Sequence, residues 1–198
     1  MPSQPNDAPQ EENASREPVQ MLDSEGIGKF ISSLADQILQ EYSVSESIPF
    51  LLVGIHRNGV PLANRIAGEI EKRTGRKPEV GTLDITMYRD DIGLRKTLPD
   101  IRETVLPDID GADVILVDDI LQSGRTIRAA LDAITYFGRP GKVRLAALLD
   151  RGKREFPIRP DYLGKNVTVP EDRRIVAAWK EFTGREDTVL LTPKKRFA

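Results

Sequence analysis

Val114-Ile115-Leu116-Val117-Asp118-Asp119-Ile120-Leu121-Gln122-Ser123-Gly124-Arg125-Thr126 is the stretch from which the fold is read. Four aliphatic residues in a row predict a strand buried on both faces, as in the interior of a parallel sheet. Two adjacent carboxylates stand at the expected strand end, and a run of small and polar residues follows. Beyond it Ile127, Ala130, Leu131, Ile134 and Phe137 recur at helical spacing. A strand, an acidic edge, a small-residue loop and a helix start suit a sugar phosphate. Backbone N–H groups at the helix N-terminus and the hydroxyls of Ser123 and Thr126 can hold a phosphate dianion. Asp118 and Asp119 would repel that phosphate, and suit sugar hydroxyls or a hydrated Mg²⁺ instead. The competing reading is a buried strand with a solvated acidic turn, as in any doubly wound domain.

Working outward, Phe50–Ile55 reads as another buried strand that ends at His56-Arg57-Asn58-Gly59. A helix carrying Leu62, Ile66 and Ile70 follows, with Pro61 at its start and a stop near Thr74-Gly75. Further strands are expected at Val80–Thr86, Val143–Leu149, Ile175–Ala178 and Thr188–Leu191. Asp23 or Ser24 can cap a first helix that buries Ile27, Phe30, Ile31, Leu34, Ile38 and Leu39. Residues 87–112 are charged and aperiodic, and a loop of that length in a compact domain is usually functional. Residues 151–165 read as a basic loop. Residues 1–20, rich in Pro, Asn, Gln, Ser and Glu, read as a disordered tail, which leaves 21–198 as one domain. Alternating strands and helices predict a mostly parallel twisted sheet with helices on both faces, an α/β fold. Ligands bind such sheets beyond the strand C-termini. The ends at Ile55–Asn58, Val117–Asp119 and Leu149–Arg151 are therefore expected to converge.

Composition sets bounds. The 198 residues contain no cysteine, so there is no disulfide framework or thiolate metal site, which fits a reducing cytoplasm. No apolar run approaches membrane-spanning length and the N-terminus lacks a signal peptide's apolar core. Neither G-x-G-x-x-G nor G-x-x-x-x-G-K-[ST] occurs, against dinucleotide and ordinary NTP sites. The formal charge of −2 conceals an asymmetry: residues 1–46 hold nine acidic and two basic side chains, leaving a mildly basic remainder of 22 against 27. Such a body is compatible with phosphate ligands or RNA.

Residues 114–126 resemble the 5-phosphoribosyl-1-diphosphate (PRPP) signature of type I phosphoribosyltransferases. Three further stretches narrow the resemblance to the pyrimidine operon attenuator/uracil phosphoribosyltransferases: Leu83–Asp91, Gly124–Ala130, and above all Asp150-Arg151-Gly152-Lys153-Arg154-Glu155-Phe156-Pro157-Ile158-Arg159-Pro160-Asp161-Tyr162-Leu163-Gly164-Lys165-Asn166. The resemblance covers roughly residues 21–192. It implies the type I fold with a long lid loop, and displacement of diphosphate from C1 of PRPP by N1 of uracil, giving UMP. In its terms Asp118 and Asp119 hold the ribose hydroxyls and, mostly through PRPP and water, Mg²⁺. Gln122, Ser123, Gly124, Arg125 and Thr126 hold the 5′-phosphate. His56, Arg57, Asn58 and Gly59 form the diphosphate loop, Arg89 is the cation a closing lid brings in, and Asn166 and Val167 offer backbone groups to uracil. Lys153, Arg154, Arg159 and Lys165 match a face for pyrimidine-gene leader RNA, bound in response to UMP. From Lys142 to Lys165 there are seven basic and three acidic residues. A homodimer or larger assembly is also implied, with no membrane contact.

The chain departs from the family at particular positions. Arg57-Asn58-Gly59 stands where Thr-Arg-Gly is usual, so the arginine has moved one place. Gln122 replaces an aromatic and Ser123 the commoner threonine, and a low uracil activity is expected. Asp36 stands where the family often has histidine on the RNA face, and a carboxylate there would repel phosphate. Hypoxanthine-type enzymes carry an aspartate at the Gln122 position, which weakens a purine reading. The alternatives are an enzyme without RNA binding and, less favoured, a purine phosphoribosyltransferase.

Overall fold

The computed structural model describes residues 17–42, 49–90 and 101–194. Its centre is a five-stranded, wholly parallel sheet. In chain order the elements begin with strand β1 (Val19–Leu22), helix α1 (Ser24–Glu41), β2 (Phe50–Ile55), α2 (Gly59–Thr74) and β3 (Val80–Leu83). They continue with β4 (Asp113–Leu121), α3 (Arg125–Phe137), β5 (Lys142–Asp150) and β6 (Tyr162–Asn166). The last are β7 (Arg173–Ala178), the short α4 (Lys180–Thr183) and β8 (Thr188–Pro193). The main sheet runs β3-β2-β4-β5-β6, and β1-β8-β7 form a separate antiparallel sheet.

Alternation along the central strands divides the core. Leu52 of β2 and Ile115 and Val117 of β4 pack with Leu34, Ile38, Leu62, Ile66 and Ile70 of α1 and α2. Leu51, Val53, Val114 and Leu116 point the other way, onto Ile127, Ala130 and Ile134 of α3. This is the two-sided burial that the aliphatic runs predicted. The helix ends follow their sequence signals too: the Asp23 carboxylate accepts the Gly26 N–H at 2.8 Å, and Gly75 closes α2 with φ of 72°.

Three expectations change. β1 takes in Val19 and Gln20, the last two positions of the expected tail, while residues 1–16 lie outside the described residues. The strand expected over Val80–Thr86 stops at Leu83 and gives way to a 3₁₀ turn over Thr86–Tyr88. The basic segment 151–165 ends in a strand, β6, at the sheet edge. Its sequence, Tyr-Leu-Gly-Lys-Asn, follows Pro160 and shows no apolar run. A side chain completes it: the amide of Gln37 on α1 donates to the Leu163 carbonyl at 2.9 Å and accepts the Leu163 N–H at 3.0 Å. One glutamine thus mimics the missing neighbour strand and blunts the exposed edge.

The small antiparallel sheet caps the main one. Buried Trp179 and Val189 join the α1/α2 side of the core. Arg65 of α2 holds the cap by bonds to Glu181 at 2.8 and 3.0 Å and to Asp187 at 2.7 Å, with its guanidinium 4.7 Å above the Trp179 ring. No helix among the described residues is long and apolar enough to cross a membrane. Replacing Gln37 by Ala is expected to lower unfolding free energy by about 1–3 kcal/mol, because a partly buried N–H and C=O lose their partners together. Chemical denaturation measures it, and Gln37→Glu, which keeps the acceptor but not the donor, should also be destabilised.

Candidate functional site

The strand order reverses between β2 and β4, and the crevice lies there. β2 and β4 stay paired as far as Gly54 opposite Val117, whereas β4 and β5 stay paired to Leu121 opposite Asp150. The last four residues of β4 therefore run on with one flank open. Asp118 and Asp119 lie inside the strand, not after it as the sequence suggested. The chain leaving β2 turns over this open flank so closely that a Cβ on Gly59 would sit 2.1 Å from the Val117 carbonyl oxygen. Only glycine fits there.

A cavity of about 360 Å³ fills the crevice, lined among others by His56, Arg57, Asn58, Arg89, Asp118 and Asp119. A second, of about 290 Å³, lies against Gln122, Ser123, Gly124 and Glu155, and both touch Asp118, Ile120 and Thr126. The sequence-predicted diphosphate loop, acidic pair and phosphate loop thus meet around one continuous wall. Arg89 already reaches this wall, its Nη1 3.4 Å from the Thr126 hydroxyl. Residues 91–100 of the expected lid lie outside the described residues.

The two carboxylates are buried side by side. Asp118 Oδ1 accepts the Asp119 N–H at 3.0 Å, and Asp119 Oδ2 accepts the Asn58 amide at 2.9 Å. Burial first, and then repulsion from Asp119, pushes the Asp118 carboxyl well above the usual carboxylate range. Burial also raises Asp119, against the opposing pull of the Asn58 bond. The displaced arginine of the loop, Arg57, lies 4.9 Å from the centre of the Phe182 ring in α4. His56 spends Nε2 on the Glu103 carbonyl at 3.3 Å, a positional contact.

On the other side Gly124 takes φ of 90° and opens α3. The Arg125 guanidinium faces outward, bonded to Glu155 at 2.6 Å and to Asp90, so this residue brings its backbone N–H to the loop. Val167, expected to serve uracil, already donates its N–H to the Asp150 carbonyl at 2.8 Å, which leaves its carbonyl. Asn166 is exposed at the end of β6.

The basic group expected to meet RNA separates. Arg159 and Lys165 are exposed, without a hydrogen bond or ion pair among the described residues. Lys153 is paired with Glu171. Arg154 is bonded inward to the carbonyls of Gln122 and Ile158 and to Asp150, which removes it from the outward-facing set. Asp36, expected to repel RNA, is neutralised by Arg73 of α2.

Sequence reasoning gave no role to Asp84, yet its carboxylate accepts the Thr86 N–H at 2.6 Å and the Arg102 N–H, tying the two feet of the long loop together. Burial would raise this carboxyl, but the Thr86 hydroxyl and the two N–H groups outweigh it and hold it low. An acid just past a strand end followed by Thr is the signal that was available.

A family model, the phosphoribosyl transferase domain, matches residues 19–182. The chain is 47% identical over 173 residues to the bifunctional protein PyrR of Roseiflexus sp. (strain RS-1), covering 87% of this chain and 93% of the relative. It is 45% identical over 177 residues to the bifunctional protein PyrR of Pelotomaculum thermopropionicum, covering 89% and 97%. Among solved structures, a hypoxanthine phosphoribosyltransferase of Staphylococcus aureus superposes with a TM-score of 0.67 at 20% identity, covering 92% of this chain and 94% of that one. The enzyme of Trypanosoma cruzi gives 0.65 at 18%, covering 88% and 97%. At such identities these two structures establish the fold alone.

The acidic pair carries a prediction for the free protein. Its carboxyl pKa values are higher folded than unfolded, so the folded state binds more protons and stability falls as pH rises above about 4. Asp118→Asn is therefore expected to stabilise the free protein at pH 7 by about 1 kcal/mol or more, roughly 2–4 °C for a domain of this size. The advantage should vanish near pH 4, and thermal melts at the two pH values measure it.

Proposed function

We propose, because this chain belongs to the phosphoribosyl transferase domain family and within it to the PyrR proteins, that it joins uracil to the ribosyl phosphate of PRPP and regulates pyrimidine-gene transcription in response to UMP. The observation that carries this reading is the open flank of β4. It sets two buried carboxylates between a glycine-closed loop on one side and a helix N-terminus on the other.

In this reading the 5′-phosphate lies against the amides of Ser123–Thr126 and the hydroxyls of Ser123 and Thr126. Asp118 and Asp119 accept the ribose hydroxyls. The His56–Gly59 loop, Arg57 and Arg89 receive the diphosphate, where charge accumulates as the C1–O bond breaks. Uracil N1 forms the new bond to C1 and its proton leaves with the diphosphate. Gln122 is no base, and none of the strength a purine enzyme uses is needed for uracil's acidic N1–H. The Val167 carbonyl and the backbone of Asn166 face the base. Two carboxylates with no third carboxylate or imidazole ligand among the described residues suit a hydrated cation shared with the substrate, so Asp118 and Asp119 would hold Mg²⁺ through sugar oxygens and water. When bound, Mg²⁺ supplies positive charge against the developing diphosphate.

For RNA the reading rests on Arg159 and Lys165, with Lys153 in support, and phosphate contacts of this kind weaken steeply with salt. The inward commitment of Arg154 favours the second reading, a transferase that does not bind RNA. A cytoplasmic location and assembly into homodimers or larger oligomers go with the proposal.

Incubation with PRPP, Mg²⁺ and uracil is expected to yield UMP. Arg89→Ala should lower turnover at least tenfold. Formation of a purine nucleotide from hypoxanthine or guanine, with no UMP from uracil, would contradict the reading. A gel shift of pyrimidine-gene leader RNA that strengthens with UMP is expected, and its absence at low salt would leave the enzyme alone.

A further inference from the structure

Arg154 makes more inward bonds than a surface cation needs. Its Nη1 donates to the Gln122 carbonyl at 2.6 Å, its Nε to the Ile158 carbonyl at 2.7 Å and its Nη2 to the Asp150 carboxylate. The side chain is 22% exposed. One residue along, the Ser123 carbonyl accepts the N–H groups of Glu155 at 2.9 Å and Phe156 at 3.0 Å. A Cβ on Gly124 would lie 3.2 Å from the Phe156 Cβ, so the next residue packs against the same segment. Residues 122–124 lean on 154–158 at every position.

A trans peptide unit is planar, with its C=O and N–H pointing in opposite directions. Fixing the Gln122 carbonyl against Arg154 turns the Ser123 N–H the other way. Fixing the Ser123 carbonyl against Glu155 and Phe156 does the same for the Gly124 N–H. Both residues line the smaller cavity, with Gln122 and Glu155 beside them. We propose that Arg154 is a positioning residue for the substrate's 5′-phosphate: by holding the Gln122 carbonyl it aims the phosphate-binding amides, and so sets affinity for PRPP and UMP. This rests on the reading that Ser123–Thr126 hold that phosphate. Lysine cannot replace it, because a single ammonium on a flexible stem does not span three acceptors in a fixed fork.

The test is Arg154→Lys in the full chain, which keeps the charge and loses the geometry. The KM for PRPP and the Kd for UMP are expected to rise about tenfold, the loss of one or two charge-assisted bonds. Turnover at saturating PRPP, the KM for uracil and the Kd for diphosphate alone should stay within about twofold. Asp150→Asn, nearly identical in shape, weakens the same strut and should raise the PRPP KM by about threefold, which keeps the test open should the lysine variant not fold. Unchanged PRPP and UMP affinity in either folded variant would overturn the proposal, as would an equal loss for uracil and diphosphate. Native protein that neither binds UMP nor uses PRPP would instead overturn the functional reading.

Discussion

The structure depends on β4 running four residues further beside β5 than it does beside β2. That mismatch exposes one flank of an interior strand, and the flank carries Asp118 and Asp119. A parallel sheet buries its strands on both faces, so only at such an overhang can an interior strand meet a ligand edge-on. The surrounding elements conform to it. Gly59 lets α2 begin in contact with the Val117 carbonyl, and Gly124 turns the chain into α3 just beyond.

The overhang has an electrostatic consequence. Two carboxylates buried side by side oppose each other and their own ionisation, and the Asn58 amide, the Asp119 backbone N–H and nearby Arg89 offset part of this. Such an arrangement costs stability in the free protein and suits a ligand that arrives with hydroxyl donors and positive charge. The cap sheet and the long loop then act as scaffolding: Arg65 ties the cap to α2, and Asp84 ties both feet of the loop to the cavity's edge.

Much of this was legible in the sequence, for physical reasons that differ by element. Val114–Val117 and Phe50–Ile55 announce buried strands because nothing but burial on both faces tolerates such runs. Asp23, Gly75 and Gly124 announce helix ends because caps and left-handed turns demand those residue types. β6 was not legible: its edge pairing is completed by Gln37, 126 residues away, and no local pattern records that. Nor could charge alone reveal the inward use of Arg154, since a solvated arginine and a buried strut look identical in a sequence. The sequence misplaces the strand end for a related reason. Carboxylates usually stop a buried strand, and here they continue one whose flank is open.

The central claim is that the overhang holds the ribose of a nucleoside monophosphate. A crystal structure with UMP bound tests it most directly. The ribose hydroxyls should lie within hydrogen-bonding distance of the Asp118 and Asp119 carboxylates, with the phosphate against the amides of Ser123–Thr126. A nucleotide found elsewhere, or bound with its phosphate away from that loop, would contradict it.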